Sequence, residues 1–296
     1  MKSGTISVIG KPNAGKSTLI NALLGQKVSI VSSHPAITRI RILGIHNSEK
    51  GQIAILDTPG FEKIRNELGR MMQKTIINSI EEADIILAVI ESRGWQTEDE
   101  RIMQMIKKFN KKTILVINKV DLLPHKESLL PLIKESNERY ELADIVPVSA
   151  SKNKNIDALR DTIFRHLPEG DALFPEDMTT NLPLQYIIAE IIREKAVNRT
   201  YQEVPQSIAV EVEEMKKGTK NKEMIVIKAD IIIDRENLKH IIIGKDGAKL
   251  KEIGQLARKE IEVLLGKKVY LELWVKVIKD WRERPDIFRR FGYGNI

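Results

Sequence analysis

The octapeptide Gly10-Lys11-Pro12-Asn13-Ala14-Gly15-Lys16-Ser17 constrains this chain more than any other feature. It matches G-x-x-x-x-G-K-[ST], follows the apolar run Ile6-Ser7-Val8-Ile9, and opens a helical pattern from Ser17 to Leu24. Glycines let such a loop wrap a phosphate with its N–H groups turned inward, and the helix behind it adds its positive end. Lys16 can then reach the β- and γ-phosphates, and the Ser17 hydroxyl can bind Mg²⁺.

The neighbouring sequence has the matching rhythm. Ile53-Ala54-Ile55-Leu56, Ile85 to Ile90 and Thr113 to Ile117 are near-continuous apolar runs, suited to strands buried on both faces of a mostly parallel sheet. Helical patterns around residues 66–80, 98–109, 126–138 and 156–166 alternate with them, which predicts a doubly wound α/β domain over residues 1–167. Pro168, Gly170, Pro175 and Pro183 punctuate an acidic stretch with little periodicity, read as a linker over 168–183. The remainder, 184–296, has another order. A helical stripe (Leu184, Ile187, Ile188, Ile191, Ile192) precedes two strand patterns, Ile208 to Val212 and Met224 to Ile233, expected to be antiparallel across a Lys-rich turn at Gly218. Ile241-Ile242-Ile243 leads to Gly244-Lys245-Asp246-Gly247. Leu250, Ile253, Ala257, Ile261 and Leu264 then mark a helix face, and Val269 to Val277 alternates as a third strand. That is a small α+β domain.

Composition excludes several chemistries. With no cysteine there is no disulfide, zinc ribbon, iron–sulfur cluster or thiol catalysis, and a reducing compartment is implied. The five histidines show no ligand spacing, so no protein-bound transition metal is expected. No run approaches about 20 apolar residues, and the N-terminus has no signal-peptide layout; a cytoplasmic protein is expected.

Three further motifs close strands. Asp57-Thr58-Pro59-Gly60 ends the Ile53–Leu56 run, Asn118-Lys119-Val120-Asp121 ends the run through Ile117, and Ser149-Ala150-Ser151 follows Ile145 to Val148. Each alone is an ordinary turn signal. Together with the phosphate loop, at the carboxyl ends of strands of one sheet, they resemble the GTPase domain of the Ras-like P-loop class. The resemblance implies that Gly10 to Ser17, with Thr18 beside them, hold the phosphates. It implies that Ser17, Thr38 and (through water) Asp57 hold Mg²⁺, and that Gly60 lends its N–H to the γ-phosphate. Asp121 would pair with guanine N1–H and N2–H₂, Asn118 would hold the loops, the Lys119 stem would lie along the base, and Ser149 and Ala150 would frame guanine O6. Phe61 follows Gly60 where a water-positioning Gln stands in Ras-like enzymes; a phenyl ring cannot orient water, so hydrolysis is expected to be slow. Some GTPases with an apolar residue here use K⁺ held by a P-loop Asn, and Asn13 occupies that place.

Gly244-Lys245-Asp246-Gly247 is a GxxG between helical segments, in the layout of a type II KH domain, whose loop clamps about four nucleotides of a single strand. Backbone approach explains the glycines, Lys245 and Lys249 can meet phosphates, and Asp246 is an awkward acidic neighbour there. In the tail, Trp281 to Tyr293, the aromatics Phe288 and Phe291 are expected to dock on their own domain and Arg289 and Arg290 to meet RNA. A GTPase domain followed by a type II KH domain resembles the Era family of bacterial ribosome-assembly GTPases. The likeness is carried also by Ala189-Glu190-Ile191-Ile192-Arg193-Glu194-Lys195 and Leu271-Glu272-Leu273-Trp274-Val275-Lys276-Val277; Ile37 departs where the family commonly has a second threonine before Thr38. It implies GTP or GDP with Mg²⁺, binding near the 3′ end of 16S rRNA on the 30S subunit, partial association with the anionic inner face of the cell membrane, and a monomer. Switch segments around 32–44 and 57–75 would couple the nucleotide to RNA. The rival reading is a membrane-surface signalling GTPase whose KH-like domain binds a protein. Charge separates the halves: residues 1–180 carry 25 basic and 23 acidic side chains, whereas 236–296 carry 14 and 9, so most of the net +7 lies where RNA would lie.

Overall fold

A strand that is apolar on both sides must be covered on both sides. In a computed structural model, which describes residues 1–31, 38–61, 64–201, 204–218 and 223–294, the runs β1 (Lys2–Gly10), β2 (Ile42–Ser48), β3 (Gly51–Asp57), β4 (Ile85–Glu91), β5 (Lys112–Asn118) and β6 (Asp144–Pro147) form one sheet. Its order is β2-β3-β1-β4-β5-β6, with β2 antiparallel to β3 and all other pairs parallel. The helices between them are α1 (Lys16–Leu24), α2 (Glu67–Glu82), α3 (Thr97–Lys107), α4 (Leu129–Arg139) and α5 (Ile156–His166).

Alternation along each strand sends successive side chains to opposite faces. On β4, Ile85, Leu87 and Val89 pack with Leu19, Ile20 and Leu23 of α1 and Ile156, Leu159 and Ile163 of α5. Ile86, Ala88 and Ile90 pack with Ile76 and Ile80 of α2, Ile102 and Ile106 of α3, and Leu132 of α4. Because five strands run the same way, their carboxyl ends and the loops that follow share one edge, where α/β sheets bind ligands.

Two features differ from the expectation. β2 is not among the strands read from sequence, because Gly44 and the polar His46 and Asn47 interrupt its apolar run; pairing with β3 makes it a strand. The stretch 168–183 is also not a free linker. The first compact unit extends through Asn181. Phe174 and Met178 pack on Leu43, Ile45, Ala54 and Leu56. Gln52, fully buried, holds this strap by its amide: Oε1 accepts the N–H groups of Leu173 (2.8 Å) and Phe174 (2.9 Å), and Nε2 donates to the Phe174 carbonyl (2.8 Å) and to Asn47 Oδ1 (2.8 Å). All four of its hydrogen-bonding positions are used.

The second unit comprises Leu182–Ile296 and, among the described residues, Ile30, Val31 and Ile64–Arg70. Its elements are α6 (Leu184–Asn198), α7 (Val204–Ser207), β7 (Ala209–Lys217), β8 (Ile225–Ile233), α8 (Lys239–Ile243), α9 (Ala248–Leu265), β9 (Val269–Val277) and α10 (Pro285–Phe288). The sheet order is β7-β8-β9, with β7 antiparallel and β9 parallel to β8. One face is apolar: Ile227, Ala229, Ile231 and Ile233 of β8 meet Ile188, Ile192 and Ala196 of α6 and Ile253, Ala257 and Ile261 of α9. The tail closes on this unit. Trp281, Phe291 and Tyr293 are buried, their rings 5.4 to 6.1 Å apart, and the Trp281 indole N–H donates to the Ser207 carbonyl (2.8 Å). Pro35, Ala36 and Ile37 and the turn residues 219–222 lie outside the described residues. Among those described, no helix is long and apolar enough to cross a membrane.

Candidate functional site

The phosphate loop leaves β1 at Gly10 and enters α1 at Lys16. Two glycines are dictated by space. A Cβ on Gly10 would lie 2.6 Å from the Val89 carbonyl oxygen, and one on Gly15, whose φ is 92°, would lie 2.3 Å from Asn118 Nδ2. Asn13 also has positive φ, 63°, and sits exposed at the rim. Lys16 is buried, and its Nζ donates to the carbonyls of Gly10 and Lys11, both at 3.0 Å. Ala14 is buried within the loop, Pro12 lies against Gly60, and Thr18 is half-buried in the first turn of α1.

Asp57 ends β3 and is fully buried. The Ser17 hydroxyl donates to its Oδ2 at 3.2 Å and stands 3.0 Å from the Thr38 hydroxyl. Burial pushes the Asp57 carboxyl up to about 6, opposed first by the Ser29 hydroxyl and then by the Lys16 charge and the Ser17 hydroxyl. Its Oδ1 is buried without a hydrogen-bond partner. Two hydroxyls and a carboxylate with an unsatisfied oxygen are the oxygen donors a hard divalent cation takes, so the residues present fit Mg²⁺. The rest of this motif does other work. Thr58 Oγ1 donates to the Val8 carbonyl (2.7 Å), and the Phe61 ring packs on the α2–α3–α4 side of the sheet while its N–H donates to the Gly10 carbonyl (3.3 Å). Pro59 joins them to Gly60.

The third and fourth loops are tied to the first. Asn118 is buried; its Nδ2 donates to the Ala14 carbonyl (2.9 Å), and its Oδ1 accepts the N–H groups of Lys119 (2.8 Å) and Ala150 (3.1 Å). The Ser149 hydroxyl donates to the Asp121 carboxylate and lies 3.5 Å from that of Ser151. Val120 is a spacer: its side chain packs on the core and its N–H donates to the Val148 carbonyl (3.2 Å). The motifs read separately in the sequence therefore meet at one edge. Sequence reasoning missed Ser92, just past β4. Its N–H donates to the Asn118 carbonyl (2.9 Å) and its hydroxyl to that of Lys119 (2.9 Å). A lone serine after a strand carries no signal of this.

In the second unit, Gly244 to Gly247 turns the chain from α8 into α9. Gly244, Asp246 and Gly247 all have positive φ, at 73°, 51° and 75°. A Cβ on Gly244 would meet Lys249 Cβ at 2.8 Å. Beside the turn is a groove of about 420 Å³ lined by Gly247, Leu250, Lys251, Gly254, Gln255 and Arg258 together with Leu271 and Leu273 of β9. Only Gly247 of these was a sequence candidate. Yet Gly247, Lys251, Gly254 and Arg258 recur at helical spacing beside the core stripe, and that second stripe was legible. Lys245 and Asp246 are exposed, and Lys249 is half-buried. Arg290 is engaged elsewhere: its Nε and Nη2 bond both oxygens of Glu211 at 3.0 and 2.6 Å. Arg289 is exposed, with no ion pair among the described residues.

A sequence model described as a 50S ribosome-binding GTPase matches residues 5–119, and a KH-domain model matches residues 203–282. The chain is 54% identical over 299 residues to GTPase Era of Aquifex aeolicus (strain VF5), covering 99% of both chains. It is 44% identical over 294 residues to GTPase Era of Heliobacterium modesticaldum, covering 99% of this chain and 97% of the relative. Among solved structures it matches Era in complex with MgGDPNP and nucleotides 1506–1542 of 16S ribosomal RNA, at TM-score 0.97, 53% identity and full coverage of both chains. It also matches a variant of Aquifex aeolicus Era bound to GDP·AlF₄⁻, at TM-score 0.96, 52% identity and full coverage.

Proposed function

The chain belongs to the Era family of GTPases, and from that premise we propose that it binds the single-stranded 3′ region of 16S rRNA under control of GTP, during assembly of the small ribosomal subunit. The observation that carries this reading is that one chain holds both a phosphate loop tied to a guanine loop and a GxxG turn opening on a basic groove. The relative solved with MgGDPNP and 16S nucleotides supports it.

Hydrolysis is in-line attack of water on the γ-phosphate. Lys16 neutralises charge on the transferring group, the Gly60 N–H faces the γ-phosphate, and Thr38 closes over it. Ser17, Thr38 and, through water, Asp57 would hold Mg²⁺, which would offset the charge of the phosphates. Asp121 reads guanine N1–H and N2–H₂, which adenine cannot match. Ser149 orients Asp121, and Ala150 and Ser151 line the O6 side. Phe61 supplies packing and no polar group for the water, so the intrinsic rate is low. K⁺ held near Asn13 would add positive charge where other GTPases place an arginine; a hydrolysis rate several-fold higher in KCl than in NaCl is the expected result, and equal rates refute it.

RNA lies along the turn Gly244–Gly247 and the groove beside α9, with Lys245, Lys249, Lys251 and Arg258 toward phosphates and Arg289 as an outlying contact. Release of the γ-phosphate loosens the switch segments and with them the hold on RNA. The protein is proposed to be a cytoplasmic monomer. Exposed Val263 and Leu264 near Lys267 and Lys268 support a peripheral contact with anionic membrane. The test is binding of a 16S 3′-end fragment with a non-hydrolysable GTP analogue and with GDP. Tighter binding with the analogue, lost in Gly244→Asp/Gly247→Asp, is expected. Full affinity in that variant would sink the proposal.

A further inference from the structure

We propose that Asp99 and Glu91, which touch no part of the nucleotide site's motifs in sequence, are positioning residues of that site: they set the phosphate loop through Lys11, and Glu91 ties it to the guanine loop through Lys119. The inference rests on the assignment of those two loops to phosphate and base.

Lys11 is the first variable residue of the phosphate loop, a place where a lysine would ordinarily reach into solvent. Its side chain is instead only 8% exposed, with Nζ 3.2 Å from Asp99 Oδ2 and 3.9 Å from Glu91 Oε1. Asp99 has no exposed side-chain surface, and its Oδ1 has no hydrogen-bond partner. Its Oδ2 also accepts the Gln96 N–H at 3.2 Å, so the carboxylate is anchored where α3 begins. Burial raises the Asp99 carboxyl, and the Lys11 charge opposes the rise. Glu91, the last residue of β4, is shared: its Oε1 also lies 3.3 Å from Lys119 Nζ. Two carboxylates and two ammonium groups thus form a brace behind the nucleotide edge. Neutralising Asp99 leaves the buried Lys11 ammonium only its longer contact with Glu91, so the chain around it must move.

What would move is the catalytic geometry. The Lys11 carbonyl accepts Lys16 Nζ (3.0 Å) and the Ala14 N–H (3.4 Å), so the backbone that Asp99 holds by its side chain also carries the phosphate-binding ammonium and the curvature of the loop. On the other side, the Lys119 stem is the wall on which the base lies, and Glu91 is its ion-pair partner among the described residues.

The brace predicts unequal effects on phosphate and base, which general loosening of the fold would not produce. In the full-length protein, Asp99→Asn is expected to speed release of a fluorescent GDP about tenfold and to lower kcat by a similar factor. The Kd of GMP, which lacks the β-phosphate, should stay within twofold. Glu91→Gln should weaken GDP and GMP alike, because it also frees Lys119. Should Asp99→Asn not fold, Lys11→Met/Asp99→Leu removes both buried charges and is expected to fold and release GDP at the faster rate. GDP release and kcat at the unsubstituted rates overturn the inference. So does an Asp99→Asn protein in which GDP and GMP weaken equally. Lys16→Ala serves as the control for the loop assignment: if it retains GDP, that assignment has failed, and if it loses GDP while the Asp99 variants do not, the brace alone has failed.

Discussion

The two sites of this chain hold anions by opposite strategies. The nucleotide site lies in a half of nearly balanced charge and is built from loops after β1, β3, β5 and β6 that bond to one another. Asn118 alone joins Ala14, Lys119 and Ala150. The groups that tie these loops together, Lys16, Asp57, Asn118 and Ser149, are buried, and the few charges are placed and counterbalanced. The GxxG groove lies on one helix and one edge strand, in the segment that carries 14 basic and 9 acidic side chains. Its charged groups are exposed, and little ties them together. The contrast teaches where tolerance lies. A buried network fails as a unit, because each lost partner strands another polar group. An exposed basic groove loses affinity in increments.

The largest expected effect tests the first half of that contrast. Asp121→Asn should lower GTP affinity on the order of 100-fold and shift preference toward xanthosine nucleotides, read by competition binding. Unchanged GTP affinity would remove the base-reading role. Next, Gly254→Leu should fill the groove and weaken a 16S fragment about tenfold or more while GTP binding stays within twofold; the open side of Gly254, with Leu273 Cδ1 at 3.4 Å from an added Cβ, leaves room for the change to be absorbed outward rather than into the core. RNA affinity that does not respond would show that bases do not enter there. Smaller still, Lys251→Ala and Arg258→Ala should each weaken RNA roughly threefold to tenfold, uniformly across sequences, and reduce the salt slope by about 1. A collapse of binding in either would break the comparison by showing that the groove too acts as a unit. Smallest, Arg289→Ala should cost about twofold in RNA affinity, whereas Arg290→Ala should leave RNA binding alone and shift stability by about 1 kcal/mol or less, as an exposed ion pair does.

Much of the first unit was legible because its signals are local. Strands buried on both faces read as unbroken apolar runs, and the glycines of the phosphate loop answer to backbone geometry within a few residues. The core face of α9 was visible for the same reason, through Ile253, Ala257 and Ile261. β2 escaped because its strand character comes from pairing with β3, and the strap escaped because its order comes from one buried amide, Gln52, far away in sequence. Arg290 reads as an RNA contact until Glu211 is seen beside it, and the second stripe of α9 gains meaning only once Leu271 and Leu273 form the opposite wall.

By itself, the sequence determined the class of the chain: a phosphate loop between strand and helix, loop motifs at strand ends, and a GxxG between helices allow few folds. Tertiary structure alone decided which charges remain available. Lys11, Lys119 and Arg290 are as cationic in the sequence as Lys245, Arg258 and Arg289, but carboxylates from other elements engage the first three. The reason is that ion pairing depends on distances of a few ångströms between residues tens of positions apart, and no local pattern records them.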